Sequence, residues 1–250
     1  MTKMMMKTKS LARTWNLIAT AALSGSFLAL FAGAALAEPG AAGAKPSPAQ
    51  RPAAKGALSA TQLADRVQGF YDKTKTFRAR FKQRYFVAAY RKTKDSHGAV
   101  VFQKPGKMSW HYENNGNRVV SDGKLIRVYE KDNKQMYEQD IETSQYPAAL
   151  SFLLGSAKLK TEFYLKKLDE RALGYEGGYV LLAVPKSPTP AYQKLLLYVD
   201  GGTYQVRRVL MIDAQQNRNR FDFVAPVVNQ PVAPQEFIFR APAGTRVIKP

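Results

Sequence analysis

The 250-residue chain contains no cysteine. This excludes disulfide bridges, thiolate metal sites, thiol nucleophiles and a lipid-modified N-terminal cysteine. Histidine is almost as scarce, with His97 and His111 alone in the sequence. His111-Tyr112-Glu113 has the outline of a His-x-Glu zinc motif, but the Cys-x-x-Cys that such a site requires is missing, so neither a metal nor a cofactor is expected. A Gly-x-Ser-x-Gly nucleophile elbow and a phosphate-binding glycine loop are also absent from the sequence. Asp122-Gly123 and Asp200-Gly201 are explained by turn chemistry. A non-enzymatic function is therefore expected. Acidic residues are outnumbered two to one, 19 against 38 Lys and Arg, for a formal charge of +19. Such a surplus suits an anionic partner: nucleic acid, a lipid headgroup surface or an acidic protein.

Compartment decides among these. Lys3, Lys7, Lys9 and Arg13 precede an uncharged apolar run from Leu17 to Ala37 that closes on Ala35-Leu36-Ala37. Basic segment, apolar segment and small-residue site, in that order, predict a secretory signal over residues 1–37 cleaved after Ala37. A retained anchor is the other reading, because the run is just long enough to span a bilayer. An exported chain rarely meets nucleic acid, so a membrane surface or an acidic protein is the expected partner. Residues 38–57 are almost wholly Ala, Pro and Gly. With no large apolar side chain they cannot offset the entropy of ordering, and a flexible tether is expected.

The ordered domain is expected over residues 58–250. Ser59 and Gln62 have the spacing of a capping box. Leu63, Val67, Phe70 and Tyr71 follow at helical intervals, predicting a helix over about residues 60–71. The period then drops to two. Phe77, Ala79 and Phe81 alternate with Arg78, Arg80 and Lys82, the pattern of a half-buried strand. Further extended runs follow, down to "NRFDFVAP" and the tail "EFIFRAPAGTRVI", separated by Gly-containing turns. One block interrupts them: "YPAALSFLLG" has Pro147 suited to a first helical turn and Gly155 where helices stop. Ten or eleven strands, two helices and no βαβ rhythm predict a mainly β (α+β) fold, a large and strongly curved antiparallel sheet with helices over one face. Phe77, Phe81, Trp110, Tyr112, Leu195, Leu197, Phe221 and Phe223 are placed on one face of that sheet by parity. Pattern alone leaves open whether loops and helices fill this surface or leave it concave. The strand parity of Thr203–Asp213 is also open, because Arg207 and Arg208 interrupt it.

The stretch "FQKPGKMSWHYENNGNRVVSDGKLIRVYE" resembles the periplasmic outer-membrane lipoprotein carrier (LolA) family in its Lys104-Pro105, Trp110 and Val120-Ser121-Asp122-Gly123-Lys124. "FRARFKQ", "PAALSFLL", "NRFDF" and "FIFRAPAGTRVI" match in order, so that the similarity runs from about Leu58 to Ile248. The resemblance implies an incomplete β-barrel of about eleven strands, closed by short helices over a hydrophobic cavity. It implies a monomeric periplasmic carrier of triacylated lipoproteins, loaded by an inner-membrane lipoprotein-releasing ABC transporter and unloaded at an outer-membrane receptor or the membrane surface. The acyl cavity would be lined by the eight residues above together with Phe102. Leu150, Phe152, Leu153 and Leu154 would form a lid helix. Lys104, beside Pro105, stands where the family typically has an arginine that bonds lid-helix carbonyls in the closed state, and it is the expected latch. Met108 stands where family members present an exposed aromatic to a partner. An envelope-stress regulator of the same fold and a carrier of another amphiphile, such as a glycolipid, are the alternative readings. The basic positions Arg78, Arg80, Lys82 and Arg84 form an outer face that either steers the carrier to anionic lipid or is merely solvated.

Overall fold

The computed structural model describes residues 58–141 and 158–249. The signal segment, the tether and the lid helix expected around Leu150–Leu154 lie outside the described residues. Helix α1, Ala60–Asp72, starts at the predicted capping box: the Ser59 hydroxyl accepts from the Gln62 N–H, and the Gln62 side chain accepts from the Ser59 N–H. Leu63, Ala64, Val67 and Tyr71 are its buried stripe.

The sheet begins with β1 (Thr76–Val87), β2 (Lys92–Gln103), β3 (Lys107–Tyr112), β4 (Arg118–Asp122), β5 (Leu125–Glu130) and β6 (Gln135–Asp140). A helical turn, α2 (Leu159–Glu162), leads into β7 (Phe163–Leu168), β8 (Gly178–Pro185), β9 (Lys194–Asp200), β10 (Val206–Ile212), β11 (Arg218–Val228) and β12 (Arg246–Ile248). The strand order is β12-β6-β5-β4-β3-β2-β1-β11-β10-β9-β8-β7. Two antiparallel meanders are thus joined where β1 pairs with β11, and β12 alone runs parallel to its neighbour, β6. β12 and β7 remain edges, so the sheet is open rather than a closed barrel.

Its curvature follows from simple geometry. β3 and β11 are three strand spacings apart, about 14 Å across a flat sheet, yet the Trp110 and Phe221 ring centroids are 5.2 Å apart. Inward side chains converge only on the concave face of a bent sheet. Close strand contact is also served by Gly98, where an added Cβ would lie 1.8 Å from the His111 carbonyl oxygen. At the β4–β5 hairpin Gly123 adopts φ +97°, which a glycine accepts without steric cost.

Two expectations are corrected. The tail was expected to be extended from Glu236, but Pro234–Phe237 forms a 3-10 turn and only Arg246–Ile248 joins the sheet. Pro234 has no N–H to give a ladder. Instead the turn packs over the outer face of β3 and β4, burying Phe237. Among the described residues the sheet has twelve strands, in keeping with the expected count of about eleven. Finally, "TEFYLKKL" is helical through Glu162 before β7 begins. The open parity of β10 is explained by a bulge: Val206 pairs with Val199 and Arg208 with Tyr198, leaving Arg207 as the extra residue. Val206, Val209 and Met211 therefore face inward.

Candidate functional site: the concave interior

Strand parity fixes what the interior contains. Phe77 and Phe81 from β1, Phe102 from β2, Trp110 and Tyr112 from β3, Leu195 and Leu197 from β9, and Phe221 and Phe223 from β11 are all buried in one continuous cluster with the stripe of α1. The eight residues expected to share a surface are thus brought together, with Phe102 beside them. Phe81 meets Trp110 at 4.9 Å and Tyr112 at 5.0 Å, both edge to face, the arrangement ring quadrupoles favour. Phe77 packs against Phe102 at 5.7 Å and Phe223 at 5.5 Å.

One end of this interior is polar. Gln83 shares the inward parity of Phe81, and its Nε2 donates to Asn219 Oδ1 at 2.9 Å in a buried pair. Sequence reading passed over both residues, because their polarity suggested solvent although their spacing from Phe81 and Phe221 already placed them inside. Tyr71 was read as a helix-face residue only. It bridges the concavity: its hydroxyl accepts from the Val206 N–H at 3.1 Å. Burial drives its pKa well above the ordinary phenol range.

Lys104 lies at the turn between β2 and β3, beside Pro105. Its Nζ donates to the carbonyl of Tyr71, in the last turn of α1. Burial lowers the Lys104 pKa, and the nearby Asp72 carboxylate partly opposes that. The cation thus sits at the negative end of a helix dipole. The helix end is further held by Asn229, whose Oδ1 accepts from Lys75 N–H and whose Nδ2 donates to Lys73 O. The tie observed is therefore to the first helix. Met108 is corrected: at 2 % exposed it belongs to the interior cluster. Its strand directs it inward with Trp110 and Tyr112, and it offers a partner no surface.

The opposite face is charged. Arg78, Arg80, Lys82 and Arg84 are exposed. Arg80 is paired with Glu113, and Arg84 with Asp95 at 2.8 Å. Among the described residues Arg78 and Lys82 have no acidic partner. A shallow groove of about 300 Å³ lies there between Lys82, Arg84, His97 and Arg220, with Asp95 and Asp222 on its walls. Among the described residues no three His, Asp or Glu side chains converge on a metal-sized space.

The sequence model of the family described as "Outer membrane lipoprotein carrier protein LolA" matches residues 72–240. An outer-membrane lipoprotein carrier protein from Cupriavidus necator is 27 % identical over 189 residues, covering 74 % of this chain and 87 % of that one. Its counterpart from Bordetella avium is also 27 % identical over 189 residues, covering 74 % and 86 %. Among solved structures, a LolA superfamily protein from Nitrosomonas europaea is 12 % identical, with a TM-score of 0.42 over 73 % of this chain and 99 % of that one.

Proposed function

The chain belongs to the outer membrane lipoprotein carrier (LolA) family, and from that premise we propose that it is a periplasmic carrier that holds the acyl chains of triacylated lipoproteins within its curved sheet, one cargo per chain. In this reading an inner-membrane lipoprotein-releasing ABC transporter loads it, and an outer-membrane receptor or the membrane surface unloads it. The observation that carries the proposal is the convergence of aromatic and aliphatic side chains from β1, β2, β3, β9 and β11 on one concave interior beneath α1. Each methylene withdrawn from water gains ~0.8 kcal/mol, so several acyl chains represent tens of kcal/mol and need such an enclosure during transit.

A carrier must also let go, which requires two states that cargo biases. The Lys104–Tyr71 tie closes the empty state, and acyl chains entering beneath α1 compete with it. Arg78 and Lys82, with no acidic partner among the described residues, steer the convex face toward anionic surfaces.

The test is displacement of an environment-sensitive apolar dye from the purified chain by a triacylated lipopeptide, a monoacylated lipopeptide and a glycolipid of matched chain length. The triacylated peptide is expected to displace the dye best. Preference for the glycolipid would keep the interior and change the cargo, and failure to take up dye or lipid would refute the carrier reading.

A further inference from the structure

Trp110 carries a polar group that the interior leaves without a partner. It lies on the inner face of β3, between Val100 on β2 and Val119 on β4, and it is 2 % exposed. Four rings surround it: Phe81 at 4.9 Å, Phe221 at 5.2 Å, Phe102 at 5.7 Å and Phe223 at 6.4 Å. None of these phenyl groups has an oxygen or nitrogen. The indole Nε1 is buried and has no hydrogen-bond partner.

An indole N–H can only donate. Left unpaired in an apolar interior it loses its bond to water and gains nothing in return, and such orphans are uncommon enough in native proteins to need a reason. The other rings of the cluster show that this environment accepts phenylalanine readily. A fifth phenylalanine would fill much of the same space without the penalty. What tryptophan adds is one N–H aimed into hydrocarbon, and this suits a guest that brings an acceptor.

We propose that Trp110 Nε1–H donates to the carbonyl oxygen of the cargo's acyl linkage. The inference rests on the acyl-binding reading above and deepens it. An acyl chain is hydrocarbon except at its head, where an ester or amide carbonyl is the one strong acceptor. A donor fixed on β3 therefore sets how far each chain can enter, with the linkage at Trp110 and the methylenes beyond it. It also makes the interior selective for acyl over alkyl chains, because an ether offers no carbonyl.

The experiment compares a monoacyl glycerol ester with the alkyl glycerol ether of the same chain length, binding each to the full chain and to W110F. Wild type is expected to prefer the ester by about 3- to 10-fold over the preference W110F retains, the range of one neutral hydrogen bond. In 15N-labelled wild type the Trp110 indole proton, identified by its absence in W110F, is expected to shift downfield with the ester and not with the ether. That spectrum keeps the test valid if W110F folds poorly. Equal ester and ether affinity in wild type, or a preference that survives in W110F, overturns the role of Trp110 and leaves the carrier intact. Binding of neither lipid overturns both. An indole N–H directed at a phenyl face would give the first of these outcomes.

Discussion

Lys104 shows how one side chain can serve both stability and release. Its ammonium meets the last-turn carbonyl of α1, where the helix dipole is negative and carbonyls lack helical partners. An arginine in its place would present a planar five-donor fork; lysine offers a compact charge and so a tie that cargo can break more easily. Replacing it with leucine, K104L, removes that tie. The expected cost is about 1 kcal/mol, allowing for solvent at a partly exposed site, which lowers Tm by about 2–4 °C in a chain of this size. The functional consequence is larger. Without the tie the empty, closed state loses its advantage over the loaded one, so cargo leaves more slowly. Thermal unfolding, together with the time course of lipopeptide transfer from loaded carrier to vesicles, checks both. A variant that melts and releases like wild type would remove Lys104 from the mechanism.

The elements differ in how clearly the sequence declares them. The start of α1 is legible because Ser59 and Gln62 satisfy each other's backbone locally, and β1 because Phe77, Ala79 and Phe81 alternate with cations that need water. Eight interior residues follow from that parity alone. What is not legible depends on partners distant in sequence. The bulge at Arg207 is set by pairing with β9. Gln83 is tolerated inside because Asn219, 136 residues away, meets it. The tail is the clearest case. Glu236-Phe237-Ile238-Phe239 alternates like a strand, yet Phe237 leaves the ladder to cover β3 and β4, and Phe239 packs on Tyr129 at 5.4 Å. This makes the tail a strap whose two aromatic anchors hold β12 in register beside β6. Phe237→Ala should therefore cost about 3–5 kcal/mol, the usual range for a buried phenylalanine. It should also expose the segment after Asn229 to protease while the sheet survives. Limited proteolysis read by mass spectrometry distinguishes this from global unfolding; wild-type resistance in the tail would show that Phe237 merely rests there.

At the scale of the whole molecule, tyrosines from both meanders and from α1 are buried, with Tyr71, Tyr85 and Tyr192 among them. Burial raises the pKa of Tyr71 on α1 and of Tyr85 on β1. Tyr192, just before β9, is pushed up to about 12, by burial first and then by the Glu162 carboxylate. A phenol whose folded pKa lies above its unfolded value near 10 contributes stability that is complete below pH 10 and is lost as pH climbs toward the folded value. Tyr192 alone then contributes on the order of 2 kcal/mol that disappears between about pH 10 and 12, and Tyr71 extends the loss further. The chain should accordingly unfold in that window. Absorbance at 295 nm should show part of its 13 tyrosines ionising only as the circular dichroism of the sheet collapses. If all of them titrate together near pH 10 with the sheet intact, the buried phenols contribute nothing to stability. Cargo gives the same experiment a functional edge. A ligand held only by the folded chain at 100 times its Kd adds about 2.7 kcal/mol, similar in size to what the buried phenols lose. A triacylated lipopeptide that fills the interior should therefore move the alkaline transition to higher pH, and an unmoved transition at saturating lipopeptide would show that the interior does not take this cargo.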